Sequence, residues 1–138
     1  MTLILARIDL ASRCVAYINA GHPAGYLLDR FGAVKSVMSS NGLPLGMFDN
    51  AAYSCSESHP LEAGDIMVLL TDGITECESP DGRAFGAEGA LEIIRAHRAE
   101  PAADIVQQVR QATREFAQGI AQADDHAIII VKVGEVGV

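Results

Sequence analysis

Basic residues are scarce. Ten lysines and arginines stand against eighteen aspartates and glutamates, a formal net charge of −8. Nonspecific nucleic-acid binding and adhesion to anionic membranes need basic patches, so this balance argues against both. It is compatible with metal binding. Cysteine is also sparse. Cys14, Cys55 and Cys77 are odd in number, widely spaced and form no C-x-x-C. That usage predicts free thiols in a reducing, cytoplasmic setting, and it offers no zinc-ligand spacing. There is no G-x-S-x-G nucleophile elbow and no G-x-x-x-x-G-K-[ST] phosphate loop. Met1–Arg7 is too short, and too soon broken by charge, for a signal peptide or a membrane span. Internal repeats, linkers and low-complexity segments are missing.

What remains is a 138-residue chain, 49% hydrophobic, which suits one packed domain. Its first half reads as strands. Residues 2–9 and 14–19 form a predicted hairpin around a turn at 9–13. The glycines and proline of 20–25 mark a loop. Short strands follow at 26–29 and 34–38, and an exposed strand is expected at Ala52–Ser58. The period then changes. Residues 87–98 place Ala90, Leu91 and Ile94 on one helical face. Residues 102–118 repeat Ile105, Val109, Ala112 and Phe116 behind Pro101. A buried strand at 126–133 closes the chain. Strands, two consecutive helices, then a last strand predict an α+β fold with helices packed on mostly antiparallel sheets.

The chain is organised around Ile66–Glu78, I-M-V-L-L-T-D-G-I-T-E-C-E. An unbroken apolar run reads as a buried strand, and it delivers Asp72 to its end. Gly73 lets the backbone turn there. A carboxylate at a buried strand end needs a partner, often a cation. Asp124-Asp125 mirrors this setting, just before the apolar run 127–131. If the two strands are neighbours, Asp72 and Asp124 meet at one sheet edge. They could then hold Mg²⁺ or Mn²⁺, which prefer oxygen ligands. A two-metal site clamps a phosphate and activates water without a nucleophilic Ser or Cys. Taken singly, Asp72-Gly73 reads first as a plain turn, and Asp124-Asp125 can be a wet acidic loop.

Seven segments carry a resemblance in order: Ala6-Arg-Ile-Asp9, Tyr17-Ile-Asn-Ala-Gly-His-Pro23, Gly42-Leu-Pro-Leu-Gly46, Leu61-Glu-Ala-Gly-Asp65, Leu70-Thr-Asp-Gly-Ile-Thr-Glu76, Pro80-Asp-Gly-Arg-Ala-Phe-Gly86 and Gln122-Ala-Asp-Asp125. Together they resemble the C-terminal part of a SpoIIE-type bacterial serine/threonine phosphatase, of the metal-dependent protein phosphatase 2C-like (PPM) family. The resemblance implies an α-β-β-α sandwich and a Mg²⁺/Mn²⁺ centre, with two ions in the complete domain. It implies hydrolysis of phosphoserine or phosphothreonine on a partner protein, such as an anti-sigma-factor antagonist. Carried over by motif, Asp72 and Asp124 are the catalytic, metal-binding aspartates, and Gly73 and Asp125 support them. Thr71 and Glu76 lie beside the site without an assigned role. His22 could donate a proton, or could simply order its loop. His59, His97 and His126 carry no site signal.

The chain departs from that family in two ways. The family domain begins earlier, with an aspartate that bridges both metals. The only Gly-Asp pair here is Gly64-Asp65, about 20 Å from Asp72 along one strand. Ala127 also stands where the family commonly has Thr. Residues 1–138 are therefore expected to be a single partial phosphatase domain, a fragment or truncated homologue. Alone it should be impaired or inactive, with uncovered sheet edges inviting self-association. The alternative is a non-catalytic partner-binding module that keeps the fold; a generic divalent-cation-binding domain is a third reading.

Overall fold

The computed structural model describes residues 1–121 and 124–135. Gln122 and Ala123, the start of the last acidic motif, lie outside the described residues. Strands β1 (Leu3–Asp9) and β2 (Cys14–Ala20) form the predicted hairpin, paired from Leu3↔Ala20 to Asp9↔Cys14. The Asp9 carboxylate closes its turn by accepting from the Ala11 and Ser12 amides. Those two donors hold the Asp9 carboxyl below its usual range, Ser12 foremost. A two-residue strand, β5 (His59–Pro60), joins the other side of β2. The second sheet has the order β4-β3-β6-β7, all antiparallel: β3 Gly25–Leu28, β4 Val34–Met38, β6 Ile66–Leu70 and β7 Ile128–Lys132.

β6 explains the layering. Ile66, Val68 and Leu70 point to one side, where they join Ile74, Ala90, Leu91, Ile94, Ile105 and Val109. Met67 points to the other, where it meets Val15 and Tyr17 of β2. An apolar run with no polar alternation is what a strand covered on both faces requires. Helix α1 (Asp72–Thr75) is a single turn; α2 (Gly86–Ala96) and α3 (Ala102–Ala117) cover the second sheet. In α3 the fully buried residues are Ile105, Val109, Thr113 and Ala117, four apart throughout, so Ala112 and Phe116 sit at the stripe's flank. Each buried Ile or Val in this layer contributes about 1.5–3 kcal/mol. The order is helices, second sheet, first sheet. Among the described residues no helix covers the outer face of the first sheet, and Leu3 and Leu5 are exposed there.

Three expectations change. Ala52–Ser58 is not a strand, because its ties to β2 run through one residue: the Ser56 amide donates to the Tyr17 carbonyl, and the Ser56 hydroxyl accepts from the Tyr17 amide. The turn at Gly73 is helical. And β7 is an edge strand whose Ile129 is exposed, not a fully buried one. No described helix is long and apolar enough to cross a membrane.

Polar clamps fix both ends of the sandwich. At one end Asp65, 1% exposed, accepts from Lys35 Nζ at 2.7 Å and from the Glu62 amide at 2.9 Å; Glu62 shares the lysine. Burial would lower the Lys35 pKa, but its two carboxylate partners outweigh that and raise it above 10.5. At the other end Asn19 is fully buried. Its side chain donates to the Met38 carbonyl and accepts from the His22 amide, tying the 21–24 loop to the strands.

Lys35→Met should cost about 2–3 kcal/mol in urea unfolding, because it strands a buried carboxylate. Since the folded Lys35 pKa is raised, its contribution is complete below 10.5 and fades as pH rises through the folded value. Lys35→Met should flatten that alkaline loss; an unchanged alkaline limb would refute the pairing.

Candidate metal centre

The site forms where β6 ends and β7 begins. β6 pairs with β7 from Ile66↔Lys132 to Leu70↔Ile128. That register brings the two acidic motifs, far apart in sequence, to one sheet edge. Thr71 extends the ladder: its amide donates to the Ala127 carbonyl at 3.0 Å. Its hydroxyl donates to the Asp125 carbonyl at 2.9 Å and accepts from the Ala127 amide at 2.9 Å. The hydroxyl of this junction is thus on Thr71, opposite Ala127.

After Thr71 the chain turns into α1. The Glu76 amide donates to the Asp72 carbonyl at 2.7 Å, so Glu76 stands one helical turn above Asp72. Ile74, fully buried against the helices, anchors the turn. Gly73 is needed for a reason other than turning, since its φ is not positive. A Cβ there would lie 2.4 Å from the Asp125 carbonyl oxygen. Glycine permits the close approach of two backbones.

The result is a cluster of three carboxylates. One oxygen each from Asp72, Glu76 and Asp124 lie within 4.8 Å of one another, all three side chains exposed. Asp72 was expected at a buried strand end; the strand is buried, but the carboxylate emerges into solvent. Asp72 Oδ1 also accepts from the Gly73 amide. Ligands of one Mg²⁺ stand about 4.2 Å apart at most, so small rotations would let these oxygens share an ion. An all-carboxylate donor set suits hard cations such as Mg²⁺ or Mn²⁺.

Glu76 is the group that sequence reading left without a role. Its Asp-x-x-x-Glu spacing was a signal, but one helical turn is too short to show periodicity. Asp125 enters through its backbone carbonyl, held by Thr71. Asp65 is committed to Lys35 at the opposite end of β6. His22 lies outside the carboxylate cluster; its Nδ1 is 3.4 Å from the Thr2 hydroxyl. Cys77 is buried, donates weakly to the Thr113 carbonyl at 3.6 Å, and has its thiol pKa raised by that burial.

The Thr71 and Gly73 contacts make a local prediction. Thr71→Val leaves the Ala127 amide without its acceptor and should cost about 1–2 kcal/mol. Gly73→Ala forces the 124–126 segment away from α1 and should cost about 2–3 kcal/mol. Amide hydrogen exchange at Ala127 should accelerate about tenfold or more in both. Unaltered exchange there would show that the junction is held by something else.

The chain is 29% identical over 130 residues to Protein IcfG of Synechocystis sp., covering 94% of the chain and 20% of that protein. It is 26% identical over 132 residues to Phosphoserine phosphatase RsbP of Bacillus subtilis, covering 96% of the chain and 30% of that protein. Among solved structures, the SiaA-PP2C domain of Pseudomonas aeruginosa superposes with a TM-score of 0.81 at 22% identity, over 95% of this chain and 51% of that one. The fold is therefore of the PP2C phosphatase type, and the chain spans under a third of these two relatives and about half of that domain. The model of the family described as Stage II sporulation protein E (SpoIIE) matches residues 1–134, and the chain belongs to that family.

Proposed function

We propose that this chain carries part of the active site of a metal-dependent phosphatase acting on phosphoserine or phosphothreonine of a partner protein. The observation that carries the reading is the convergence of Asp72, Glu76 and Asp124 on one point. Family membership and the phosphoserine phosphatase among its relatives support the reaction class. On this reading the residues form part of a PP2C-type domain. The partner belongs to bacterial signalling such as sigma-factor regulation, an anti-sigma-factor antagonist being the candidate substrate. The cysteines are unpaired, in keeping with a cytoplasmic setting.

Asp72 and Asp124 would hold Mg²⁺ or Mn²⁺, with Glu76 as a third carboxylate on the same face. When bound, such an ion polarises a phosphoryl oxygen and lowers the pKa of coordinated water. The chain's own part is positional. Thr71 fixes the Asp125 carbonyl, Gly73 lets that carbonyl approach α1, and the β6–β7 register sets Asp124 opposite Asp72. Three carboxylates on one face suit a single ion. A second ion would need a bridging carboxylate that neither Asp65 nor any other acid of this cluster supplies, so the chain alone should be impaired. Leu3 and Leu5, exposed on the first sheet, support self-association through that face.

The test is Mn²⁺-dependent hydrolysis of a phosphoserine peptide, run on this chain and on the full-length gene product. Asp72→Asn and Asp124→Asn should each lower turnover of the full-length protein by about 100-fold or more, with Glu76→Gln weaker. Mn²⁺ titration followed by electron paramagnetic resonance should lose the bound signal in both aspartate variants. Turnover that survives both changes, or that ignores chelator, refutes the metal mechanism. Mn²⁺ binding without any turnover would favour the partner-binding module.

A further inference from the structure

A cleft of about 390 Å³ opens directly beside the carboxylate cluster, sharing Glu76 and Asp124 with it. Its apolar surface comes from small or short residues: Cys77, Ala84, Ala117, Ile120 and Ala121. Glu78 adds a further carboxylate and His126 an imidazole, and among the described residues no lysine or arginine lines the space. The walls are built rather than accidental. Cys77 and Ala117 are buried in the helical layer, at 8% and 4% exposure. Glu78 and Ala84 face each other in an antiparallel bridge, backed by the Phe85 amide donating to the Cys77 carbonyl at 2.7 Å. The bridge closes through a turn in which the Ser79 amide donates to the Arg83 carbonyl. Arg83, on that turn, is paired with Asp81 at 2.7 Å and lies 6.0 Å over the Phe116 ring. Glu78 has no ion-pair partner among the described residues.

We propose that this cleft receives a lysine or arginine side chain of the phosphoprotein substrate, from a residue flanking the phosphorylated one. The inference rests on the phosphatase reading for its substrate and adds the choice of sequence around the phosphate. An aliphatic stem suits the alanine, isoleucine and cysteine walls, and a cationic head suits the carboxylate rim. The volume is at the lower end for binding pockets, which fits a side chain better than a whole small molecule. A divalent ion at the cluster would not remove the complementarity. Glu78 stands outside the three carboxylates that would hold it. An acidic side chain would meet like charge at Glu76, Glu78 and Asp124 of the rim, so the cleft selects as well as attracts.

The experiment uses the full-length protein in Mn²⁺ buffer and fluorescein-labelled phosphoserine peptides. Arginine or glutamate is placed in turn at each flanking position, and dissociation constants are read by fluorescence anisotropy. At one position the arginine peptide should bind about tenfold or more tighter than its glutamate twin. Glu78→Gln should shrink that ratio, Glu78→Lys should invert it, and Ala84→Leu should abolish it by filling the cleft. Thermal melts establish that each variant is folded, and Glu78→Gln, the mildest change, carries the test if the others are not. Equal affinities at every position, no measurable peptide binding, or a ratio untouched by Glu78→Gln would each overturn the proposal. Hydrolysis of p-nitrophenyl phosphate by the unaltered protein reports on the phosphatase reading separately. Turnover without a peptide preference removes the cleft proposal alone. A Glu78-dependent preference without turnover removes the phosphatase reading and leaves the cleft as a cation-recognising peptide site.

Discussion

The antiparallel pairing of β6 with β7, continued one residue further by Thr71, is the contact on which the site depends. Leu70↔Ile128 is the last strand pair, and the Thr71 hydroxyl then holds the backbone at Asp125 and Ala127 across a separation of 54 residues or more. A β-ladder fixes register in steps of one residue, and one step would turn every side chain of β7 to the other face. The threonine makes such a slip costly, because its hydroxyl both donates and accepts within the junction. Gly73 completes the constraint from the other side by leaving no Cβ in the path of the Asp125 carbonyl.

The rest of the fold serves that junction. β6 is gripped between two apolar layers, so the strand that delivers Asp72 cannot tilt toward either. The Lys35–Asp65 pair pins its start, and Ile74 pins the turn beyond its end. Asn19 ties the Gly-His-Pro loop to β2 and to Met38. Antiparallel pairing of β3 with β6 carries that loop to the same end of the sheet as Asp72. The carboxylates themselves are exposed, so a fixed backbone presents three solvated acids at one sheet edge.

Much of this was legible in the residues. The unbroken apolar run of Ile66–Leu70 announced a strand covered on both faces, and Ala90, Leu91 and Ile94 announced a helix. Asp72 and Asp124 drew notice because each abuts such a run. Other features left no mark in the sequence. Ala52–Ser58 alternates weakly and looks like a strand, yet only Ser56 reaches β2 through hydrogen bonds, so no ladder forms. Glu76 sits in a helix of one turn, too short for any periodic signal. The glycine at 73 suggested a turn, whereas what matters is a carbonyl belonging to a segment fifty residues later.

By itself the sequence determined most strands, the two long helices and the acids Asp72 and Asp124 as candidates, because apolar periodicity, turn residues and isolated acids are local properties of the chain. Neither a G-x-S-x-G elbow nor a G-x-x-x-x-G-K-[ST] loop occurs in it. Only the tertiary structure decided that Glu76 joins Asp72 and Asp124, that Thr71 and Gly73 hold them in place, and that a cleft with a carboxylate rim opens beside them. Those are distances between groups far apart in sequence. They follow from which strands pair, in which register, and how closely two backbones can approach.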